Sequence, residues 1–262
     1  MLIIGYLGAL LIGLVLGLIG GGGSILTVPI FVYFLDIHPI LATAYSLFVV
    51  GSTALVGAFR NYQNNLIDFK IGFVFAVPSF IGVYIARAYL IDSIPDQIFF
   101  LSKETAVMLF FAFIMFIASY FMINGYKENV SIKEKKRKNL ILTIEGLIIG
   151  VLTGIVGAGG GFLIIPALVL FANLPMKKAV ATSLMIIAIK SLFGFLGDIG
   201  NDNLSFDWTL LSLFTTLSII GIFFGTFLTK FINGNSLKKG FGWFVMLMAF
   251  IILFKEIIKH FL

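Results

Sequence analysis

Cysteine is absent from the 262 residues, which excludes disulfide bridges and thiolate chemistry. Charge is scarce too: Asp, Glu, Lys and Arg make up 11% of the chain, whereas a soluble domain carries about a quarter. The two histidines, His38 and His260, sit at the ends of apolar segments and too far apart in sequence to suggest a metal site. A membrane-embedded enzyme would need His, Asp, Glu or Cys clustered within those segments, and none cluster there. The expectation is therefore a protein that is not an enzyme and carries no cofactor. A Gly-x-x-x-x-Gly-Lys-Ser/Thr phosphate loop is also missing, which argues against intrinsic ATP drive. The first twenty residues lack a basic leader and a small-residue cleavage site, and read as a retained first span rather than a signal peptide.

What the chain holds is apolar surface: 60% hydrophobic residues, with 30 phenylalanines. Apolar runs fall at 2–35, 40–59, 71–90, 104–124, 140–172, 179–197, 208–229 and 240–258. Most are long enough to cross roughly 30 Å of hydrocarbon at about 1.5 Å per residue. The fold class expected is an all-α polytopic membrane protein of about eight hydrophobic segments, with no sizeable soluble domain. The net charge of +6 is spread along connecting loops and forms no basic face interleaved with aromatics, so nucleic acid is not an expected partner. Retention of basic loops on the cytoplasmic side explains it more simply.

A shift of 137 residues lays 17–69 on 154–206 without a gap, with 16 of 53 positions identical. Ala42, Ala44, Ser46 and Leu47 fall on Ala179, Ala181, Ser183 and Leu184; Gly57 falls on Gly194, Asn64 on Asn201 and Phe69 on Phe206. The chain reads as an internal duplication: a first transmembrane repeat over 1–125, a basic cytoplasmic linker over 126–139, and a second repeat over 140–262. Six cations, Lys127, Lys133, Lys135, Lys136, Arg137 and Lys138, crowd that linker, as in a solvated loop facing anionic headgroups.

The most informative match is a glycine run inside the first apolar segment of each repeat. Gly20 to Gly23 precede Pro29, and Gly157, Gly159, Gly160 and Gly161 precede Pro166. Each glycine costs a helix roughly 1 kcal/mol relative to alanine, so each run reads as a broken helix. A break leaves bare N–H groups and the positive end of the helix dipole at the start of the second half-helix, which is an anion-binding arrangement. Irregular backbone at membrane depth survives only against protein or a water-filled cavity, so two matched breaks point to a shared internal site. The competing explanation is close helix packing through small residues.

Charge bears on orientation. If each broken helix crosses once, the side holding the basic linker carries ten Lys/Arg against seven. If each instead dips in and turns back, that side carries thirteen against four, with Lys190 between. The second count fits the positive-inside rule better. It makes the repeats inverted relative to each other, with both termini extracytoplasmic.

In the helix after each break, Ser183, Lys190, Ser191 and Gly194 lie on one face, matched by Ser46, Thr53, Ala54 and Gly57. Interhelical hydrogen bonding, at about 0.6 kcal/mol each, explains any single hydroxyl. Ser46 and Ser183 stand out by occupying equivalent positions. Lys190 is a full charge near mid-span, costing about 2.5–3.5 kcal/mol at the bilayer centre, and is expected to face a cavity, attracting an anion or titrating to couple transport to protons. Arg60 and Asn61 read as an interfacial anchor or an entrance gate, and Asp198, Asp202 and Asp207 crowd one loop.

The paired Gly-rich breaks ending in proline, the Ala-x-Ala-x-Ser-Leu start of the following helix and the Asn-x-x-x-x-Phe loop together resemble the TauE/SafE family of permeases, often called sulfite exporters. The resemblance covers roughly 8–90 and 145–230. It implies export of small sulfur-containing anions such as sulfite or organosulfonates across a bacterial or archaeal inner membrane. The motif positions are Gly20, Gly22, Gly23, Pro29 and Ser46, then Gly157, Gly159, Gly160, Pro166, Thr182 and Ser183, with Tyr45 standing where the second repeat has Thr182.

The leading expectation is a secondary transporter whose small anionic substrate sits near the midplane between the two half-helix N-termini. Backbone N–H groups of Gly22, Gly23, Ser24, Gly160 and Gly161 would bind it, assisted by Ser46, Ser183 and Lys190, while the two halves rock around it. A permease for a carboxylate or a metal cation, and a non-transporting membrane subunit, stay open beside it. So do proton coupling and homo-oligomerisation.

Overall fold

The computed structural model describes residues 2–21, 23–86, 97–98, 101–124, 135–156, 161–170, 172–199 and 205–261. Gly22, Arg87, the linker through Glu134, Gly157 to Gly160 and residues 200–204 lie outside that set. The described chain is helical apart from one short antiparallel pairing, Gln97–Ile98 with Leu101–Ser102. The helices are α1 (Leu2–Ile19), α2 (Gly23–Phe34), α3 (Pro39–Gln63), α4 (Phe69–Ile85), α5 (Lys103–Asn124), α6 (Lys135–Val156), α7 (Gly161–Leu170), α8 (Met176–Ile199), α9 (Trp208–Leu228) and α10 (Gly234–Phe261). Both long apolar runs are split at their glycines, α1 from α2 and α6 from α7. Lys135 to Asn139, read from sequence as the end of the linker, already form the start of α6; lysine and arginine are good helix formers when solvated.

Residues 41–63 of α3, α8, α9 and residues 234–258 of α10 are long and apolar enough to cross a membrane by themselves; α4 and stretches of α1, α5 and α6 are shorter apolar helices. Large apolar side chains stay on the outside, among them Phe73, Phe80 and Tyr84 of α4, Phe223 and Phe227 of α9, and Trp243, Phe250 and Phe254 of α10. A surface so extensively apolar suits lipid and not water. The chain is a multi-pass membrane protein.

Helix α2 folds back along α1. A Cβ built on Gly5 would lie 3.0 Å from Leu35, one on Gly8 3.1 Å from Ile30, and one on Gly23 2.5 Å from Leu16, so early residues of α1 meet late residues of α2. Gly20 makes the turn at φ 77°, a region that costs glycine nothing. The far end of α2 closes with Asp36 at φ 55° and an Ile37 N–H donating to Phe31 O at 3.0 Å. After α7, Asn173 takes φ 51° and Leu174 N–H donates to Leu168 O at 3.0 Å. This closure, an N–H reaching back six residues past a left-handed residue, is repeated at the 137-residue shift with Asp and Asn, side chains that tolerate the left-handed region.

Contacts follow the same exchange. Helix α1 packs on α9 and α6 on α4; α3 packs on α8, α5 on α10 and α2 on α7. Swapping the helices of one repeat for those of the other maps this set onto itself. Apart from α2 and α7, which pack chiefly within their own repeats, each helix has its principal partner in the other repeat. At the α1–α9 crossing a Cβ on Gly13 would lie 1.8 Å from Ser218 O, and one on Gly221 2.2 Å from Leu10 O. At α6–α4, Gly150 and Gly82 stand in the same relation to Ser79 O (2.1 Å) and Leu147 O (2.3 Å). Ser218 Oγ adds a hydrogen bond to Ala9 O at 2.9 Å. Small residues let the backbones touch, which is how helices associate in a solvent as apolar as their side chains.

The alignment needs one correction. Asp68 caps α4 and Asp207 caps α9, so Asp207 stands where the 137-residue shift would put residue 205. Equivalence is displaced by two residues there, and Phe69 answers to Trp208, not to Phe206.

Because a backbone carbonyl cannot swing aside as a side chain can, Gly82→Ala and Gly221→Ala should each lower the melting temperature of the detergent-solubilised protein, at an overpacking cost of about 1–3 kcal/mol. Gly240→Ala, where an added Cβ meets nothing within 4 Å, should leave it unchanged or raise it, since alanine favours a helix by about 1 kcal/mol; equal melting of all three would remove the close crossings as the source of stability.

Candidate functional site

The first glycine turn is closed on its own helix. Gly20 N–H donates to Leu16 O at 2.7 Å and Gly21 N–H to Ile19 O at 3.0 Å. These two amides complete the end of α1. The N–H groups of α2's first turn, beginning at Gly23 and Ser24, are the ones an α-helix leaves without an internal acceptor. Thr27 Oγ1 donates to Gly23 O at 2.8 Å and tightens that turn.

The two interruptions meet. A Cβ on Gly161, the first residue of α7, would lie 3.1 Å from Gly21 Cα and 2.6 Å from Ile187 Cδ1. One on Gly20 would lie 2.5 Å from Ser183 Oγ and 3.1 Å from both Val180 Cα and Ile165 Cδ1. Both turns thus press against the middle of α8, and glycine is required because any side chain would push them apart. Gly22, Gly157, Gly159 and Gly160 belong to the same turns by sequence but lie outside the described residues.

Ser183 is fully buried and its hydroxyl donates to Val180 O at 2.8 Å, which leaves its oxygen facing Gly20. Ser46 is buried at the equivalent place on α3. Thr182 has a structural partner: Asp68 N–H donates to its hydroxyl at 3.0 Å. In the other repeat Asp207 N–H donates to Tyr45 Oη at 2.7 Å. The Tyr45–Thr182 mismatch visible in the sequence is therefore one task, holding the start of the next helix, performed by side chains of different reach.

Lys190 lies seven residues beyond Ser183 on α8, about 10 Å along the axis, so it stands beyond the glycine contact and not within it. It is only 7% exposed and its ammonium donates to Thr153 Oγ1, whose own hydroxyl donates to Gly150 O at 3.1 Å. Thr153 went unnoticed in the sequence because its counterpart in the first repeat is Leu16, and one threonine in an apolar helix carries no signal. Lys190 and Thr153 line a cavity of about 400 Å³, with Leu47, Phe80, Phe193 and Asp198 among its other walls.

A second cavity, of about 240 Å³, opens at the opposite end of α8 and is lined by Gly17, Arg60, Lys177, Val180 and Lys230 among others. Along α8 the order is Lys177 and Val180 on this cavity, Ser183 and Ile187 on the glycine turns, then Lys190, Gly194 and Asp198 on the other. Along α8, Gly20, Gly21 and Gly161 lie between the two cavities, or vestibules. One stretch of wall corresponds at the 137-residue shift, Arg60 and Asn61 of one cavity answering to Gly197 and Asp198 of the other, and the remaining walls differ.

Comparison with known proteins agrees with this architecture. The family model described as "Sulfite exporter TauE/SafE" matches residues 5–256. A protein of Xylella fastidiosa described as a probable membrane transporter is 27% identical over 253 residues, covering 94% of this chain and 92% of its own. One from Methanocaldococcus jannaschii, described likewise, is 30% identical over 196 residues, covering 71% and 70%. One from Bacillus subtilis is 29% identical over 236 residues, covering 87% and 91%. No solved structure matches the chain. A family model matched over nearly the whole chain and relatives of this kind show that the chain belongs to the TauE/SafE family and is a membrane transporter.

Proposed function

We propose that the chain is a secondary transporter that exports a small sulfur-containing oxyanion, such as sulfite or an organosulfonate, through a site at the joined glycine turns. The observation that carries this reading is the approach of Gly161 to Gly21 beside Ser183. It brings the N-terminal ends of α2 and α7 together, so their unpaired N–H groups and dipoles converge on one point. Gly22, Gly23, Ser24, Gly157, Gly159, Gly160 and Gly161 supply backbone around the anion in this reading, and Ser46 and Ser183 supply hydroxyls. Thr182 acts from behind, by holding Asp68. Lys190 attracts the anion on its way into or out of the turns.

The hairpin of α1 and α2 supports inverted repeats. With α2 returned to its starting side, each repeat keeps three crossing helices, an odd number that turns the second repeat over relative to the first. The meeting of Arg60, Lys177 and Lys230 at one cavity places three of the cations counted for the cytoplasmic side together, as that topology requires, and both termini then lie outside. Rocking of the two sequence halves is replaced by another motion, because their helices interlock. The moving groups would be α1, α2 and α9 on one side and α6, α7 and α4 on the other, sliding along the central α3–α8 pair so that the joined turns open to one vestibule at a time.

Gly161→Leu should abolish sulfite efflux from proteoliposomes while leaving membrane insertion intact, since the side chain would part the turns. Lys190→Ala should raise the half-saturating sulfite concentration several-fold. Efflux at the original rate and affinity in both variants would overturn the assignment.

A further inference from the structure

We infer that the cavity bounded by Arg60, Lys177 and Lys230 is an oxyanion-loading site on the cytoplasmic face, separate from the glycine turns and present in only one of the two vestibules. The inference rests on the transporter reading and adds to it a place where the substrate is collected before it reaches the turns.

Three cations from three different segments converge on this cavity: Arg60 from the end of α3, Lys177 from the start of α8 and Lys230 just after α9. Its other described walls are Gly17, Asn61, Asn64, Leu66, Val180, Thr226 and Thr229, so no carboxylate is among them. Arg60 is held in place. Its Nη1 donates to Phe223 O at 3.2 Å and its guanidinium lies 5.1 Å from the Phe223 ring centroid. One of the five guanidinium N–H groups is thereby used and the plane is fixed, which lowers the ordering cost of binding an anion with the rest.

The neutral polar walls are engaged elsewhere. Asn61 Nδ2 donates to Gly57 O at 2.8 Å and Asn64 Nδ2 to Arg60 O at 2.9 Å. Thr226 Oγ1 donates to Ile222 O at 2.9 Å, and Thr229 Oγ1 to Gly225 O at 2.8 Å. The two threonine hydroxyls are thereby committed, each asparagine keeps a second N–H as a neutral donor, and the charge that recognises an anion comes from the cations. Such a site selects by charge and size, and suits a compact oxyanion carrying one or two negative charges. A volume of about 240 Å³ holds an ion of sulfite size with several waters, each taking about 30 Å³.

The exchange of repeats supplies the contrast. Arg60 and Asn61 answer to Gly197 and Asp198, so the opposite vestibule has open space and a carboxylate where this one has a guanidinium and an amide. The opposite cavity holds one cation, Lys190, and the carboxylate of Asp198, whereas this one gathers three cations with no carboxylate among its described walls, so the near-symmetric scaffold carries an unequal field. Both the Val180 wall and Gly17 lead from this cavity to the turn at Gly20.

The same chemistry could be met by a phosphate on a lipid headgroup, and the experiment separates the two sources. The full chain would be placed in phosphatidylcholine nanodiscs and proteoliposomes, with Arg60→Gln/Lys177→Gln/Lys230→Gln compared with a charge-matched control, Lys178→Gln/Lys238→Gln/Lys239→Gln. Expected is a rise of about tenfold or more in the half-saturating sulfite concentration from the cytoplasmic face for the first variant only, lessened at high salt, with little change in maximal rate. Weakened binding of sulfite or sulfate in nanodiscs should accompany it. If the wild type binds these anions through the three cations but moves none, the transporter reading fails and the site stands. The site is overturned if both variants behave alike, or if the three cations affect only stabilisation by phosphatidylglycerol and not binding of the free anion.

Discussion

Hydrocarbon offers no hydrogen-bond partner to a peptide group, so every departure from helix inside the membrane must be covered by protein or water. Among the described residues, the departure at Gly20–Gly21 is covered by the second repeat. The Gly20–Gly21 turn takes its own two amides back onto α1, and its remaining surface is filled by Gly161, Ile165, Val180 and Ser183 of the second repeat. Glycine is needed for both parts of that arrangement, for the left-handed φ at Gly20 and for the absence of a side chain between the turns. The position of α8, the two vestibules and the direction in which each half-helix points follow from keeping these turns in contact.

That contact shows why charge is distributed as it is. In the function proposed above, an anion held by the helix ends would be neutralised by dipoles, which involve no charged group that must itself be desolvated. Glu256 is buried on α10 away from both cavities, but the cations that line them include Lys190 against Thr153 on one side and Arg60 against Phe223 on the other. Each sits where solvent or a polar partner compensates it, and each is positioned to act on an ion approaching the turns.

Much of this could be read beforehand. The broken helices were legible because four glycines in an apolar run have no helical explanation, and their pairing was legible because the match recurs at a constant shift. The buried position of Ser46 and Ser183 followed from helical spacing. The pairing of α1 with α9 and of α6 with α4 was not legible: Gly13, Gly82, Gly150 and Gly221 look like ordinary membrane glycines until their partners are known. Periodicity says which face is small, never which helix lies against it. The role of Thr182 was hidden for a related reason, because its counterpart Tyr45 reaches the same amide position from a side chain of different shape. The two-residue displacement at the Asp68 and Asp207 caps escaped because chance identity at Phe69 and Phe206 masked it.

Interlocking of the repeats also bears on how such a chain is made. Helix α1 leaves the ribosome long before α9, the helix that covers its glycine face, and α4 precedes α6 in the same way. The early helices must wait in the bilayer with that face against lipid, and a chain halted at the linker would hold half of every pair and complete none.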